Sequence, residues 1–429
     1  MTSAASTTLV ASLAFWLVAW FVTVAAGRVI VEIPVEAASN ALHDSSASGH
    51  FQAAKCAAYV CNAWLCACQR NYRFAFILFA RFLPYSLSQP VRSIPELSMQ
   101  YRKFGRTGLT VSRLCLGTMT FGLQTEEDAS RRILDTAADA GVNFIDTADV
   151  YPLGSEHSDA GRTEEIVGRW LKGKRDRFIL ATKAVGKMGP SAWDQGASRK
   201  HLLDAIDASL KRLGTDYVDL YQLHSDDADT PLDETLEALD VIVRSGKARY
   251  IGVSNFLAYR LARALGRADV LRVARFVSVQ PRYNLLFRQI ERELLPLAAE
   301  EQLAVMPYNP LAGGLLTGKH KLDAAPPSGR FTETVGKAGA MYQERYWHQR
   351  EFETIERLKA IVEPTGESLT RMSLAWVLAN PLVTSAIIGA SRAEQLNDTL
   401  AASELVLDAD IKQQLDEASV EYRWGDAAR

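Results

Sequence analysis

The sequence predicts an α/β fold: a (β/α)8 TIM barrel preceded by a non-barrel N-terminal extension. Three observations carry this. From residue 110 onward, short apolar segments alternate with amphipathic ones through eight units, the pattern of parallel strands joined by helical crossovers. About 330 residues are available for those units, within the roughly 200 to over 400 that such barrels occupy. A doubly wound dinucleotide-binding sheet would need G-x-G-x-x-G directly after its first strand. Here the first strand ends LGTMTFG, and the only comparable glycine cluster, AGGLLTG (312–318), follows the seventh.

Composition divides the chain into an extension, 1–98, and the barrel, 99–429. The extension begins with an 18-residue apolar run, Leu9–Ala26, with no charged side chain before Arg28. That length just reaches the roughly 18–20 residues that span a bilayer as a helix. A secretory signal peptide competes, but the basic leading region is missing and the run exceeds a typical apolar core. A third reading is an upstream extension from a start codon placed too early, because Met99 opens a complete domain start, QYRKFGRTGLTVSRLCLG. Residues 28–98 add a second apolar stretch, FAFILFARFL, and Cys56, Cys61, Cys66 and Cys68, whose C-x4-C-x4-C-x-C spacing fits no zinc pattern.

In the barrel, residues 99–110 form a short hairpin across the bottom, with Gly105 and Gly108 as turn formers. The strands follow as VSRLCLG (111–117), VNFIDTA (142–148), FILATKA (178–184), VDLYQLH (218–224), RYIGVSN (249–255), FVSVQ (276–280), LAVMPYN (303–309) and TSAIIGA (384–390). Helices lie between them. In 198–213, Leu202, Leu203, Ile206, Leu210 and Leu213 keep helical spacing.

Charge and metal-ligand residues narrow the function. With 48 basic and 50 acidic residues the net charge is −2, which gives no electrostatic footprint for nucleic acid. The seven histidines form no HExxH and no close pair, so no metal site is expected. Beyond residue 99 the single thiol, Cys115, suits a reduced cytoplasmic enzyme. If the extension is a real anchor, Arg28 places the barrel on the cytoplasmic side, and membrane contact runs through residues 9–26.

Active sites of such barrels sit at the C-terminal ends of the strands. Those positions hold Asp146, with Tyr151 in the loop beyond, Lys183, His224, Ser254-Asn255, Gln280 and Tyr308-Asn309. A carboxylate ending a core strand needs a partner, and Lys183 at the next strand end supplies one. An ammonium beside Tyr151 favours the phenolate and lowers its value from the usual 10 or so, which suits a general acid. His224 orients a carbonyl. None of the four is a hydride source, so a cofactor is required.

In this order the segments resemble the aldo-keto reductase superfamily, over about three quarters of the chain from Met99. GVNFIDTADVY is similar to the family's Asp/Tyr segment, ILATK to its lysine strand and YVDLYQLHS to its histidine strand. KARYIGVSN, VSVQPRYNLLFR, MPYNPLAGGLLTGK and IIGASRAEQL follow in the family's order. YNLLFRQIERELLP and GGLLTGK are similar to the bacterial reductases and potassium-channel β-subunits more than to mammalian aldose reductases. The resemblance implies an NADPH/NADP+ cofactor and a catalytic tetrad of Asp146, Tyr151, Lys183 and His224. It places Gly117, Thr118, Met119 and Asp146 at the nicotinamide, and Ser254, Asn255 and Gln280 at its carboxamide, with Tyr308 stacked on the ring. Asn309, Pro310, Leu311 and Gly313 would line the pyrophosphate with Lys319 and Arg330. Beyond Gly389, Ser391 and Arg392 would take the 2′-phosphate, with Gln395 and Asp398 near the adenosine. A guanidinium fork suits that phosphate on physical grounds too. Two departures stand out: Thr399 where the family often has Asn, and a long loop, PLGSEHSDAGRTEEIVG, after Tyr151.

The first function this implies is an NADPH-dependent reductase of small carbonyl substrates. The second is an NADPH-binding regulatory subunit of a membrane channel or transporter. A barrel hydrolase lacks a second strand-end carboxylate facing Asp146. Specificity would lie in 152–162, 225–231 and 320–350; the sequence names neither the substrate nor an oligomeric state.

Overall fold

A computed structural model describes residues 99–425, apart from 155, 156, 325, 327, 328 and 333–336, together with Thr23–Ala25 and Arg28–Ile30. The chain separates into two compact units, Met1–Ser93 and Ile94–Arg429. In the first, Thr23–Ala25 pairs antiparallel with Arg28–Ile30. Three residues of the expected spanning helix therefore lie in a strand, where β-branched Thr23 and Val24 are at home. The rest of the apolar run, the cysteine cluster and FAFILFARFL lie outside the described residues. Among the described residues no helix is long and apolar enough to cross a membrane.

The second unit begins with the hairpin, Tyr101–Lys103 against Thr110–Ser112. Gly105 has φ +55°, and a Cβ there would sit 2.6 Å from backbone atoms of Gln302 and Ala304. Only glycine lets the turn approach that closely. The barrel strands are β1 Leu114–Gly117, β2 Phe144–Asp146, β3 Ile179–Ala184, β4 Val218–Leu223, β5 Ala248–Ser254, β6 Phe276–Gln280, β7 Ala304–Val305 and β8 Ala386–Ile388. All neighbours are parallel, with β8 beside β1. The ring closes between β7 and β8 through a Val305–Val383 bridge and an Ile387 N–H to Pro307 C=O bond of 2.9 Å.

Helices α1 Glu127–Asp139, α2 Arg162–Leu171, α3 Arg199–Leu213, α4 Leu232–Arg244, α5 Ala258–Leu271 and α6 Leu294–Glu300 follow β1 to β6 in turn. After β7 come α7 Lys337–Tyr346, α8 Gln349–Val362 and α9 Leu369–Ala379, and α10 Leu396–Ala401 follows β8. The α3 stripe is explicit: Leu202, Ile206, Leu210 and Leu213 are buried, Ser198 caps the start and Gly214 at φ 63° ends the helix. Leu203 is only partly buried.

The segment 111–117 is not one strand, as the sequence reading has it. It breaks at Arg113, between the hairpin and β1. Arg113 is 4% exposed, and its guanidinium donates to the carbonyls of Leu378, Val383 and Thr384. It thus satisfies one orphan carbonyl in the last turn of α9 and two in the segment that leads to β8. The strands at 303–309 and 384–390 are likewise shorter than read.

Alternation along the strands builds the interior in two layers. Cys115, Phe144, Ala181 and Leu220 point inward to a small apolar cluster with Phe104, Met306 and Ile387. Leu116, Ile145, Leu180, Tyr221 and Val279 point outward against the helices. Two residues further on, the inward positions are Asp146, Lys183, Gln222 and Gln280. A polar layer sits on an apolar floor.

Candidate active site

The inward register puts Lys183 opposite Asp146. The Lys183 ammonium, with no exposure, donates to Asp146 Oδ2 at 2.5 Å and to the Thr147 carbonyl at 2.8 Å. Asp146 Oδ1 accepts from Gln280 Nε2 at 2.9 Å and from Gln222 Nε2 at 3.1 Å. The carboxylate is answered from three other strands. Gln222 was not among the expected residues, although it stands two positions beyond inward-facing Leu220 and opposite Lys183. Beside it Gly252 makes room for Ser278 on β6, because a Cβ there would lie 2.2 Å from Ser278 Oγ.

Tyr151 closes the same cluster, 8% exposed. Its backbone carbonyl accepts from Gly161 and Thr163 at the start of α2. Its ring packs edge-on to His224, with centroids 5.6 Å apart, and the Lys183 nitrogen lies 5.1 Å from its centroid. Asn255 Nδ2 donates to the His224 carbonyl, and Asn255 Oδ1 accepts from the Tyr308 hydroxyl at 2.8 Å. The four candidate catalytic side chains stand together at the top of β2 to β4.

The aldo/keto reductase family model matches residues 113–420. The chain belongs to the aldo/keto reductase family. It is 41% identical over 327 residues to the oxidoreductase YrpG of Bacillus subtilis, covering 74% of this chain and 95% of that protein. It is also 37% identical over 313 residues to a probable voltage-gated potassium channel subunit beta of Arabidopsis thaliana, covering 72% of this chain and 92% of that one. With the L-glyceraldehyde 3-phosphate reductase of Escherichia coli it shares 35% over 308 residues, 71% of this chain and 87% of the relative.

The electrostatics of this aldo/keto reductase differ from the sequence expectation at one point. Tyr151 is pushed up to about 12: burial outweighs the pull of Lys183. The phenol therefore keeps its proton at neutral pH. His224 is lowered to about 3 by burial and by Lys183, which makes it a neutral imidazole. For Lys183 burial pulls downward, but Asp146 and Tyr151 prevail and its value rises, so it remains a cation.

A cavity of about 500 Å3 opens from Asp146 and Tyr151 toward the start of α10. Of the cofactor contacts expected from the sequence, all but Ser254, Asn255 and Arg392 line it. Ser254 is one bond away, donating from Oγ to the Gln280 carbonyl at 2.9 Å. Arg392 is exposed outside the wall, while Glu394 lines it. Gly117 leaves the floor bare, since a Cβ there would meet Ile387 Cγ2 at 2.7 Å. Gly313 and Gly314, at φ +71° and +105°, turn the backbone beside Lys319. Arg330 lies 3.3 Å from where a Cβ on Gly389 would be. Flat ring, backbone turn and two cations in sequence fit a dinucleotide. Thr399 is buried with its hydroxyl on the Leu396 carbonyl, while Asn397 lines the cavity. Thr120, Gln124 and Tyr342 also line it. Tyr342 comes from α7, inside an insertion whose path gave no sequence signal.

Proposed function

We propose that this protein is an NADPH-dependent carbonyl reductase that converts small aldehydes or ketones to alcohols. One observation carries the reading: the buried Lys183–Asp146 pair stands beside a protonated Tyr151 and a neutral His224, where Asp146 and Tyr151 line the cavity. A bound reduced nicotinamide supplies the hydride for the carbonyl carbon. The Tyr151 hydroxyl and His224 hydrogen-bond the carbonyl oxygen, polarise it and hold it in place. As negative charge develops on that oxygen, Tyr151 gives up its proton; the alkoxide is the stronger base, and Lys183 stabilises the phenolate left behind. Asp146 keeps Lys183 aimed at the phenol. Gln280, with Ser254 and Asn255, would hold the carboxamide, Lys319 and Arg330 the pyrophosphate, and Ser391 the 2′-phosphate, with exposed Arg392 next to it in the chain. The work takes place in the cytoplasm, where NADPH is available.

Following NADPH and NADH oxidation against a panel of aldehydes, ketones and sugar aldehydes tests this. Turnover that Tyr151→Phe lowers about 10²–10⁴-fold, with NADPH binding retained, supports it. Wild-type turnover in that variant overturns it. The similarity to plant channel subunits supports a second reading, a regulatory subunit that binds NADPH on a membrane partner. Tight NADPH binding without turnover, together with a co-purifying membrane protein, would favour that one.

A further inference from the structure

The first turn of α2 carries two fully buried polar side chains, Thr163 and Glu164, that the chemistry above leaves unused. A carboxyl group with no exposure is rare, and this one is satisfied on both oxygens. Glu164 Oε1 accepts from the Thr182 hydroxyl at 2.5 Å, and Oε2 from Arg212 Nε on α3 at 2.7 Å. Thr163 donates its hydroxyl to the Phe121 carbonyl at 2.7 Å. The backbone of the same turn reaches a third point, because the N–H groups of Gly161 and Thr163 donate to the Tyr151 carbonyl at 3.0 and 3.4 Å. The helix is seated closely on α3: a Cβ on Gly168 would lie 2.6 Å from the carbonyl oxygens of Arg212 and Leu213.

Each of the three points belongs to a different part of the site. Thr182 precedes Lys183 on β3, and alternation turns Thr182 toward the helices as it turns Lys183 inward. Glu164 therefore grips the strand from outside, one residue from the lysine. Phe121 lies in the loop after β1, whose Thr118, Met119 and Thr120 line the cavity, and its N–H donates to the Thr118 carbonyl at 3.0 Å. Tyr151 is the acid. We propose that Glu164 and Thr163 are positioning residues: one helical turn fixes the spacing of Tyr151 and Lys183 and holds the cavity loop against them. Neither touches a reacting atom. Their effect is geometric, and a misplacement of about 1 Å is enough to cost roughly a hundredfold in rate. The proposal rests on carbonyl reduction at Tyr151.

The test measures kcat and KM for NADPH, with an aldehyde that the wild type reduces, together with Tm. Glu164→Leu removes both side-chain bonds and should lower kcat about tenfold to a hundredfold. Glu164→Gln should keep most of kcat, because its amide can donate to the Thr182 hydroxyl while its oxygen accepts from Arg212. Thr182→Val, which leaves the Glu164–Arg212 bond in place, should lower kcat without altering KM for NADPH, and Thr182→Ser should restore it. Thr163→Val frees the Phe121 carbonyl and should instead raise KM for NADPH. Trp170→Phe loses a 2.7 Å bond to Asp135 near the end of α2; it should lower Tm and leave kcat alone. A merely structural Glu164 would behave like Trp170, with reduced Tm and wild-type kcat. If the wild type reduces no aldehyde, the reduction reading fails, and crystal structures of Glu164→Leu and Thr182→Val still decide the positioning: the Tyr151 ring and the Lys183 ammonium should move apart. Wild-type kcat in Glu164→Leu or Thr182→Val, a Glu164→Gln variant as slow as Glu164→Leu, or unmoved Tyr151 and Lys183 in those structures would overturn the proposal.

Discussion

Lys183→Met isolates the buried pair at the centre of the site. The substitution keeps the length of the stem but removes a cation with no exposure, 2.5 Å from a carboxylate that is itself 3% exposed. Asp146 then retains only the amides of Gln222 and Gln280 on one oxygen. Breaking a buried pair on one side costs about 3–5 kcal/mol, because a charge stays behind in a low-dielectric interior. For a barrel of about 330 residues that amounts to a fall in Tm of roughly 4–7 °C. The double variant Asp146→Asn/Lys183→Met removes both charges, and neutral replacement of a buried pair is often close to balanced. It should recover most of the lost Tm while carbonyl reduction stays abolished, since no cation is left to stabilise the phenolate. Calorimetric or circular-dichroism melts give the first quantity, and NADPH oxidation the second. A single variant as stable as wild type, or a double variant no more stable than the single, would refute the view that the pair holds itself in place by mutual charge.

Three further outcomes follow from the electrostatics and the chain's division. Because Tyr151 is pushed up to about 12, its acid form persists below that value; kcat/KM for reduction should show no loss of the acid across about pH 6–9, and a tyrosine-dependent decline near neutral pH would contradict the burial argument. His224, lowered to about 3 in the folded chain, binds its proton in the unfolded state first. Stability from this group is present above the unfolded value of about 6.5 and is lost as pH falls from there toward 3, so His224→Gln should flatten the acid side of a stability–pH curve. A chain beginning at Met99 should fold and reduce carbonyls like the full chain, because all eight strands lie after it; an insoluble or inactive Met99 chain beside an active full-length protein would show that the extension belongs to the fold.

The strands and the Asp146–Lys183 pairing were legible because both depend on period: alternation marks the inward positions, and barrel connectivity makes neighbours of successive strand ends. The break at Arg113 was not. A short apolar run with one arginine reads as a strand until its carbonyl partners, some 265 to 271 residues later, are known. Gln222 was available from the same alternation that exposes Lys183, but a glutamine inside a strand draws no notice without its register. The sign of the Tyr151 shift escaped because a sequence shows the neighbouring cation but not the depth of burial, and here burial is the larger influence. Charge alone points to Arg392, but whether it faces the cavity depends on a side-chain direction at the start of a helix.

The four-strand origin of the Asp146 cluster has a consequence for how the protein can be handled. Its contacts join residues 37, 76 and 134 positions apart, so they form only once most of the ring is assembled. No fragment or partly folded state holds the constellation, and the dinucleotide proposed above would recognise only the finished barrel. Ligand and fold are then thermodynamically linked: the bound molecule stabilises the native state by RT ln(1 + [L]/Kd), and a melting curve recorded at rising cofactor concentration becomes a binding isotherm. Conversely, the late arrival of such long-range contacts means slow assembly, during which an added cofactor has nothing to grasp and cannot hasten folding.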